Sequence, residues 1–166
     1  MSRDIVLWDL DNCLSDDSWR LRFIDWHEDN PGERYAKYHA LVLGDEPGNL
    51  DVWERWLALN TEPVFVTGRP DTARYFTLHW IESHLGIQRP RLLMRNRNDH
   101  RPSERVKRDL LLNEPDLRTP RVVAAYDDHP PIVEMYRRDF GISSHLLSIH
   151  SRCAYTAPPL SSKDKQ

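Results

Sequence analysis

Cysteine is nearly absent from this 166-residue chain, which has two, Cys13 and Cys153. They can form one bridge at most, which excludes a disulfide-stapled scaffold and points to a reducing, cytoplasmic setting. Glycine is scarce as well, with six residues, and no G-x-x-x-x-G-K-[ST] loop occurs, so no nucleotide-kinase half is expected within these residues. No apolar run approaches the roughly 18 residues that span a bilayer, so no membrane partner is expected. The start, MSRDIVLWDL, has one short apolar run containing Asp9 and lacks a signal-peptide pattern. A dominant charge is missing too: 23 Lys and Arg face 26 Asp and Glu, a formal charge of −3, so the chain as a whole is no polycation.

What is present suffices for a core. Apolar residues make up 39% of the chain, and six Trp, six Tyr and four Phe supply bulk. The length suits one domain, expected over 1–155, that needs no staples. The last eleven residues, TAPPLSSKDKQ (156–166), are polar and rich in Pro and Ser, and read as a flexible tail.

Short apolar runs at 4–9, 63–67, 91–94, 121–126 and 144–149 lack polar alternation, which suits strands buried on both faces of a parallel sheet. Helical patterns separate them. Residues 71–86 place Ala73, Phe76, Trp80 and Ile81 on one face, with Asp71 as candidate N-cap and Gly86 as the stop. Residues 103–113 turn Val106, Leu110 and Leu111 inward, and 130–140 do the same with Ile132, Val133, Tyr136 and Phe140. Alternating strands and helices give an α/β fold with a mostly parallel central sheet. Residues 50–59 form the crossover helix into the second strand. The stretch of about 17–49 has helical patterns near 17–26 and 32–43 and no strand signal, and reads as a small helical lid inserted after the first strand.

Ligands of open α/β sheets sit outside the carboxyl ends of the strands. There the chain places Asp9-Leu10-Asp11 after the first strand, Thr67-Gly68-Arg69 after the second and Asp127-Asp128 after the fourth, with Lys107 on the helix before it. Four carboxylates repel one another unless a cation joins them, and a hard cation such as Mg²⁺ prefers oxygen ligands. A carboxylate can attack phosphorus, and a second one can move the proton of the leaving oxygen.

These four motifs, in this order across 4–140, resemble those of the haloacid-dehalogenase-like (HAD) phosphatases. LLMRNRNDHRPSERVKRDLLL (92–112), YDDHPPIVEMYRRDFGI (126–142) and VTGRPDTARYFTLHWI are similar to the 3′-phosphatase domain of phage-type polynucleotide kinases. The resemblance implies a Rossmann-like HAD core with a cap. It implies Asp9 as nucleophile, Asp11 as general acid and base, and Lys107 as the cation facing the phosphate. Thr67 would hold the phosphate and Gly68 would give backbone access. Mg²⁺ would be held by Asp9, the Asp11 carbonyl and Asp128, supported by Asp127. Arg20 and Arg69 become candidate substrate contacts. The implied activity is removal of a 3′-phosphate from a nucleic-acid end. The alternatives are hydrolysis of free nucleoside monophosphates or, in another class, a non-catalytic binding module; the four intact charged motifs argue against the last. The chain departs from the pattern at Asn12-Cys13, where Gly-Thr is usual, and at Ser103, where Asp is usual; Glu104 is the candidate substitute partner for Lys107.

Residues 89–108 hold eight basic residues against two acids, a local excess of six, and read as a rim for a polyanion beside Lys107. Asp16 and Asp17 read as an N-cap and a solvated acid. Trp19, Trp26, Tyr35 and Tyr38 pack the lid in preference to stacking on a base. The eight histidines show no zinc spacing.

Overall fold

A computed structural model describes residues 3–151, so Cys153 and the tail expected at 156–166 lie outside the described residues. The chain runs through β1 (Ile5–Trp8) and β2 (Ser15–Asp16), a 3₁₀ turn at Ser18–Phe23, α1 (Pro31–Arg34), α2 (Ala36–Ala40), a second 3₁₀ turn at Val42–Gly44, and β3 (Glu46–Pro47). It continues through α3 (Leu50–Ala58), β4 (Glu62–Pro70), α4 (Arg74–Leu85), β5 (Arg91–Arg95), α5 (Ser103–Leu112), β6 (Val122–Asp127), α6 (Pro130–Phe140) and β7 (Ser144–Leu146). No helix among the described residues is long and apolar enough to cross a membrane.

Five strands form one parallel sheet in the order β5-β4-β1-β6-β7, an α/β Rossmann-like arrangement. β1 is buried along its whole length because helices cover both faces. Val6 and Trp8 enter one core with Phe65, Trp53, Trp80 and Ile81. Ile5 and Leu7 enter the other with Val64, Val66, Leu111, Ile132 and Tyr136. The missing polar alternation in the sequence has this cause: each strand residue has an apolar layer to meet, worth about 1.5–3 kcal/mol per fully buried aliphatic side chain. Gly86 and Gly141 end α4 and α6 in the left-handed region, at φ 70° and 66°.

The chain leaves β1 toward β4 and β5, then crosses back to β6 and β7. The order in which strands are added therefore reverses between β1 and β6, and the carboxyl ends of the strands at such a point are where open α/β sheets bind ligands.

Several expectations are corrected. The stretch 17–26 winds as a 3₁₀ turn with Arg20 buried, and 32–43 splits at Tyr35 into α1 and α2 followed by a 3₁₀ turn. The inserted stretch does carry a strand, since β3 pairs antiparallel with β2 and ties the two ends of the insertion together. Asp71 is no N-cap: Pro70 holds that place in extended conformation, and the Asp71 carboxylate accepts from Arg97 at 2.9 Å. Asp17 is no solvated acid. It is buried and accepts the hydroxyl proton of Tyr38.

Candidate active site

Asp9 follows β1 directly. Trp8 pairs with Tyr126 of β6 and the Asp9 N–H donates to the Tyr126 carbonyl at 3.0 Å, which sets Asp9 beside Asp127. Carboxylate oxygens of Asp9, Asp127 and Asp128 all lie within 4.8 Å of one another. Lys107 arrives on the inward face of α5 with Val106 and Leu111. Its Nζ donates to Asp9 Oδ1 at 2.6 Å and to Asp127 Oδ2 at 2.7 Å. Asp127 also accepts the His129 N–H at 3.0 Å. Burial, and then the neighbouring Asp127 and Asp128, push the Asp9 carboxyl well above its ordinary range, against the pull of Lys107. Burial raises Asp127 likewise. For Lys107, burial acts downward, but Asp127 and Asp9 overrule it and hold the ammonium charged. Three carboxylates therefore stand together with one ammonium, which bridges Asp9 and Asp127. The donor set is all oxygen and one cation short, which fits a hard divalent ion.

The Asp11 carboxylate is engaged elsewhere. Its Oδ1 accepts from Arg20 Nη2 at 2.5 Å and from Arg69 Nη2 and Nε at 2.6 and 3.0 Å. Both arginines are fully buried, and both reach Asp45, at 2.7 Å from Arg20 and 3.4 Å from Arg69. Asp45 further accepts from Ser15 Oγ at 2.5 Å and Trp19 Nε1 at 3.0 Å. Burial acts to raise Asp11, but Arg69 and then Arg20 hold it well below the usual carboxylate range.

Thr67 and Gly68 sit where the β4–β5 register slips between Thr67 and Pro70. Thr67 is buried and its Oγ1 accepts the Arg69 N–H at 3.2 Å. A Cβ on Gly68 would come within 3.2 Å of Ser103 Oγ, so the start of α5 packs directly on that glycine. Arg95 clamps the same junction, donating to the Gly68 carbonyl at 2.9 Å and to Ser103 Oγ at 2.7 Å. Ser103 thus serves the Arg95 clamp. Glu104 pairs with Arg138 at 3.5 Å, which corrects its expected pairing with Lys107. Cys13 packs in the core with Leu10 and Leu14, and burial pushes its thiol up.

Two site residues escaped the sequence reading. Asn12 has φ 59°, a left-handed conformation that asparagine tolerates, and donates to Asp128 Oδ2 at 2.8 Å. Its side-chain oxygen accepts the His150 N–H at 3.0 Å, which ties the segment after β7 to the acid cluster. Asp45 stands in the Gly-Asp-Glu-Pro-Gly break and has the local signature of a loop acid. Nothing in its neighbourhood along the chain announces two buried arginines.

The basic stretch 89–108 is largely neutralised. Arg91 pairs with Glu114 and Asp116, Arg97 with Asp71, Arg101 with Asp99 and Asp109, and Arg108 with Asp139. The lid aromatics pack on each other, Trp26 on Tyr35 and Trp19 on Phe23, and Arg20 lies over the Tyr38 ring at 4.1 Å. Among the described residues, no histidine or cysteine joins a cluster with metal spacing.

An α/β sheet with acids, a lysine and a bulged Thr-Gly-Arg run at its reversal point has the layout of a HAD-type phosphatase. The family model for the polynucleotide kinase PNKP phosphatase domain matches residues 3–146. The chain belongs to this family and is a phosphatase. No curated protein matches it. Two solved assemblies contain similar chains, the Pnkp1/Rnl/Hen1 RNA repair complex at TM-score 0.63 and 21% identity, and a Pnkp1/Rnl/Hen1 complex at 0.64 and 20%. These matches cover 87% and 88% of this chain but 42% and 45% of theirs, so it spans less than half of their length. A candidate phosphatase from Clostridium difficile superimposes at TM-score 0.59 and 14% identity, over 87% of this chain and 84% of that one.

Proposed function

We propose that the chain removes the 3′-phosphate from a nucleic-acid end through a phosphorylated Asp9. The observation that carries this reading is the three-acid cluster closed by Lys107 at the reversal point of the sheet. Asp9 Oδ attacks phosphorus and the ester P–O bond breaks. The leaving 3′-oxygen takes a proton from Asp11, and a water that later attacks the aspartyl-phosphate returns one to Asp11, freeing phosphate and the Asp9 carboxylate. With Arg20 and Arg69 on it, Asp11 is held ionised, the form that takes the proton from water. To serve as donor in the first step it must release an arginine contact and take up a proton from solvent before the ester bond breaks. Lys107 offsets charge on Asp9 and on the phosphate that Asp9 receives. Thr67 and the backbone at Gly68 line the phosphate side, and Arg20 and Arg69 act by positioning Asp11. Magnesium held by Asp9, Asp127, Asp128 and the Asp11 carbonyl would supply the missing positive charge and draw electrons from phosphorus. On this reading the described residues form one domain, with the insertion at about 17–49 as a cap that brings Arg20 and Asp45 to the Asp11 side; the end of the domain expected at 155 lies outside the described residues.

The paired basic stretch favours a second reading, a phosphatase of free nucleoside monophosphates, because few of its cations remain for further phosphates. Phosphate release from a 3′-phosphorylated oligonucleotide, a 5′-phosphorylated one and free nucleotides separates the two. The 3′-phosphorylated oligonucleotide is expected to lead, and preference for free nucleotides rejects the first reading. Asp9→Asn is expected to lose turnover by more than a thousandfold while staying folded by circular dichroism; a tenth of normal turnover removes Asp9 as nucleophile.

A further inference from the structure

Asn12 occupies a backbone position that favours glycine, yet it carries a side chain. Its φ of 59° lies in the left-handed region, where a side chain meets steric resistance that glycine escapes. That side chain is buried, and both ends of its amide are used. Nδ2 donates to Asp128 Oδ2 at 2.8 Å and to the His150 carbonyl at 3.1 Å, and Oδ1 accepts the His150 N–H at 3.0 Å. A flipped amide would set its oxygen against a carboxylate and a carbonyl, so these partners fix its orientation. Asp128 is the least buried of the three clustered acids. Asp9 and Asp127 are both held by Lys107, and Asp127 by the His129 N–H as well. Among the described residues, Asn12 is the one donor on the Asp128 carboxylate.

The same amide reaches a segment that touches both ends of the insertion. After β7 the chain passes beside the acid cluster. The Leu147 N–H donates to the Asp127 carbonyl at 2.9 Å and the Ile149 N–H to the Asn12 carbonyl at 2.7 Å. Ile149 seats on Gly48, just past β3, so closely that a Cβ on that glycine would displace it. His150 Nε2 meets Asp16 of β2 at 2.9 Å. β2 and β3 pair with each other and close the base of the insertion. Residues 147–150 thus form a strap between that base and the acid cluster. Asn12 is the side chain that joins the strap to an acid.

We infer that Asn12 is a positioning residue that holds Asp128 in place for a divalent cation, and that it couples the affinity for that cation to the seating of the 147–150 strap. The inference rests on the magnesium reading above and adds the residue that orders the least buried acid and the segment that supports it. Donors that orient a metal ligand change metal affinity by about 10–100-fold when they are lost. The coupling is reciprocal: a seated strap favours the cation, and the cation favours a seated strap.

The test uses the full chain and two readouts that need no turnover. Asn12→Gly suits the left-handed backbone and removes only the amide, so it is expected to stay folded by circular dichroism. In calorimetric titration with MgCl₂, its Mg²⁺ affinity is expected to fall roughly tenfold or more. Its loss of turnover should be largest at low Mg²⁺ and shrink toward saturation. In hydrogen exchange followed by NMR, Mg²⁺ should slow the His150 amide of the wild type, and that response should vanish in Asn12→Gly. An Asn12→Gly protein that is less stable yet binds Mg²⁺ as the wild type does shows a purely structural effect and overturns the positioning role. A wild-type His150 amide that exchanges at the same rate with and without bound Mg²⁺ overturns the coupling to the strap, and needs no variant to do so. A wild type that binds no Mg²⁺ overturns the magnesium reading and this inference with it, and leaves the phosphatase assignment standing.

Discussion

Asp9 and Asp11 are two residues apart and stand in opposite electrostatic surroundings. On the Asp9 side, three carboxylates cluster with one ammonium, that of Lys107, which bridges Asp9 and Asp127, and burial drives the Asp9 carboxyl upward. On the Asp11 side, Asp11 and Asp45 meet Arg20 and Arg69, two charges against two, all closely hydrogen-bonded, and Asp11 is driven downward. One side is short of a cation and has the oxygen donors to recruit one. The other brought its own cations from β4 and the first 3₁₀ turn and is closed. In the proposed reaction the difference separates the two jobs that a phosphoester needs done: holding charge at phosphorus, and managing a proton at the leaving oxygen.

The largest effect expected from breaking this comparison comes from removing a cation on each side. Lys107→Met leaves Asp9 and Asp127 buried without their partner, and Arg69→Met strips Asp11 of two of its hydrogen bonds. Each should cost about 3–5 kcal/mol by urea denaturation, the scale of a broken buried pair. The sharpening lies in rescue: millimolar Mg²⁺ should restore part of the stability of Lys107→Met and none of that of Arg69→Met. Equal rescue of both would erase the distinction between the two sides.

A smaller effect is expected from the metal alone. A ligand that binds only the folded state stabilises it by mass action, about 2.7 kcal/mol at a hundred times its dissociation constant, and at roughly 2–4 °C per kcal/mol for a chain near this size. Saturating Mg²⁺ should therefore raise Tm by several degrees. Asp128→Asn should lose most of that rise, because it removes one of three charged donors. A Tm response unchanged in Asp128→Asn would take Asp128 out of the metal site.

The smallest effect concerns His39. Its folded pKa, about 3, lies below the ordinary value near 6.5. The neutral ring contributes fully above pH 6.5, and as pH falls toward 3 the unfolded chain takes up a proton that the folded one refuses. Wild-type Tm should thus fall faster than that of His39→Gln between pH 6.5 and 4, by a few degrees. Parallel curves would mean that the ring is accessible to protons in the folded state.

Much of the fold was legible because its signals are local. Apolar runs without alternation announced the buried parallel strands, and Gly86 and Gly141 announced the ends of α4 and α6. The ordered appearance of Asp9, Thr67, Lys107 and Asp127-Asp128 after successive elements was enough to place them at one end of the sheet. The errors have a common physical cause. The stretch 17–26 carries helical periodicity, yet Arg20 is drawn inside by Asp11 and Asp45, and the winding tightens. The excess of charge in 89–108 looked like a rim, yet Arg97, Arg91 and Arg108 meet acids from before α4, before β6 and on α6, while Arg101 is taken up by Asp99 and Asp109 close by. Arg95 belongs to the bracing of Gly68 against Ser103.

The sequence by itself determined the order of elements, the two apolar layers and the set of chemical groups delivered to the ends of β1, β4 and β6. These depend on periodicity and on neighbours a few residues away. Only the tertiary structure decided how those groups share charge. The pairing of Lys107 with Asp9 across 98 residues, of Arg69 with Asp11 across 58, and of Arg20 with Asp45 across 25 is set by which elements pack side by side. Coulombic energy falls with distance and rises with burial, and neither quantity is written in the spacing of residues along the chain.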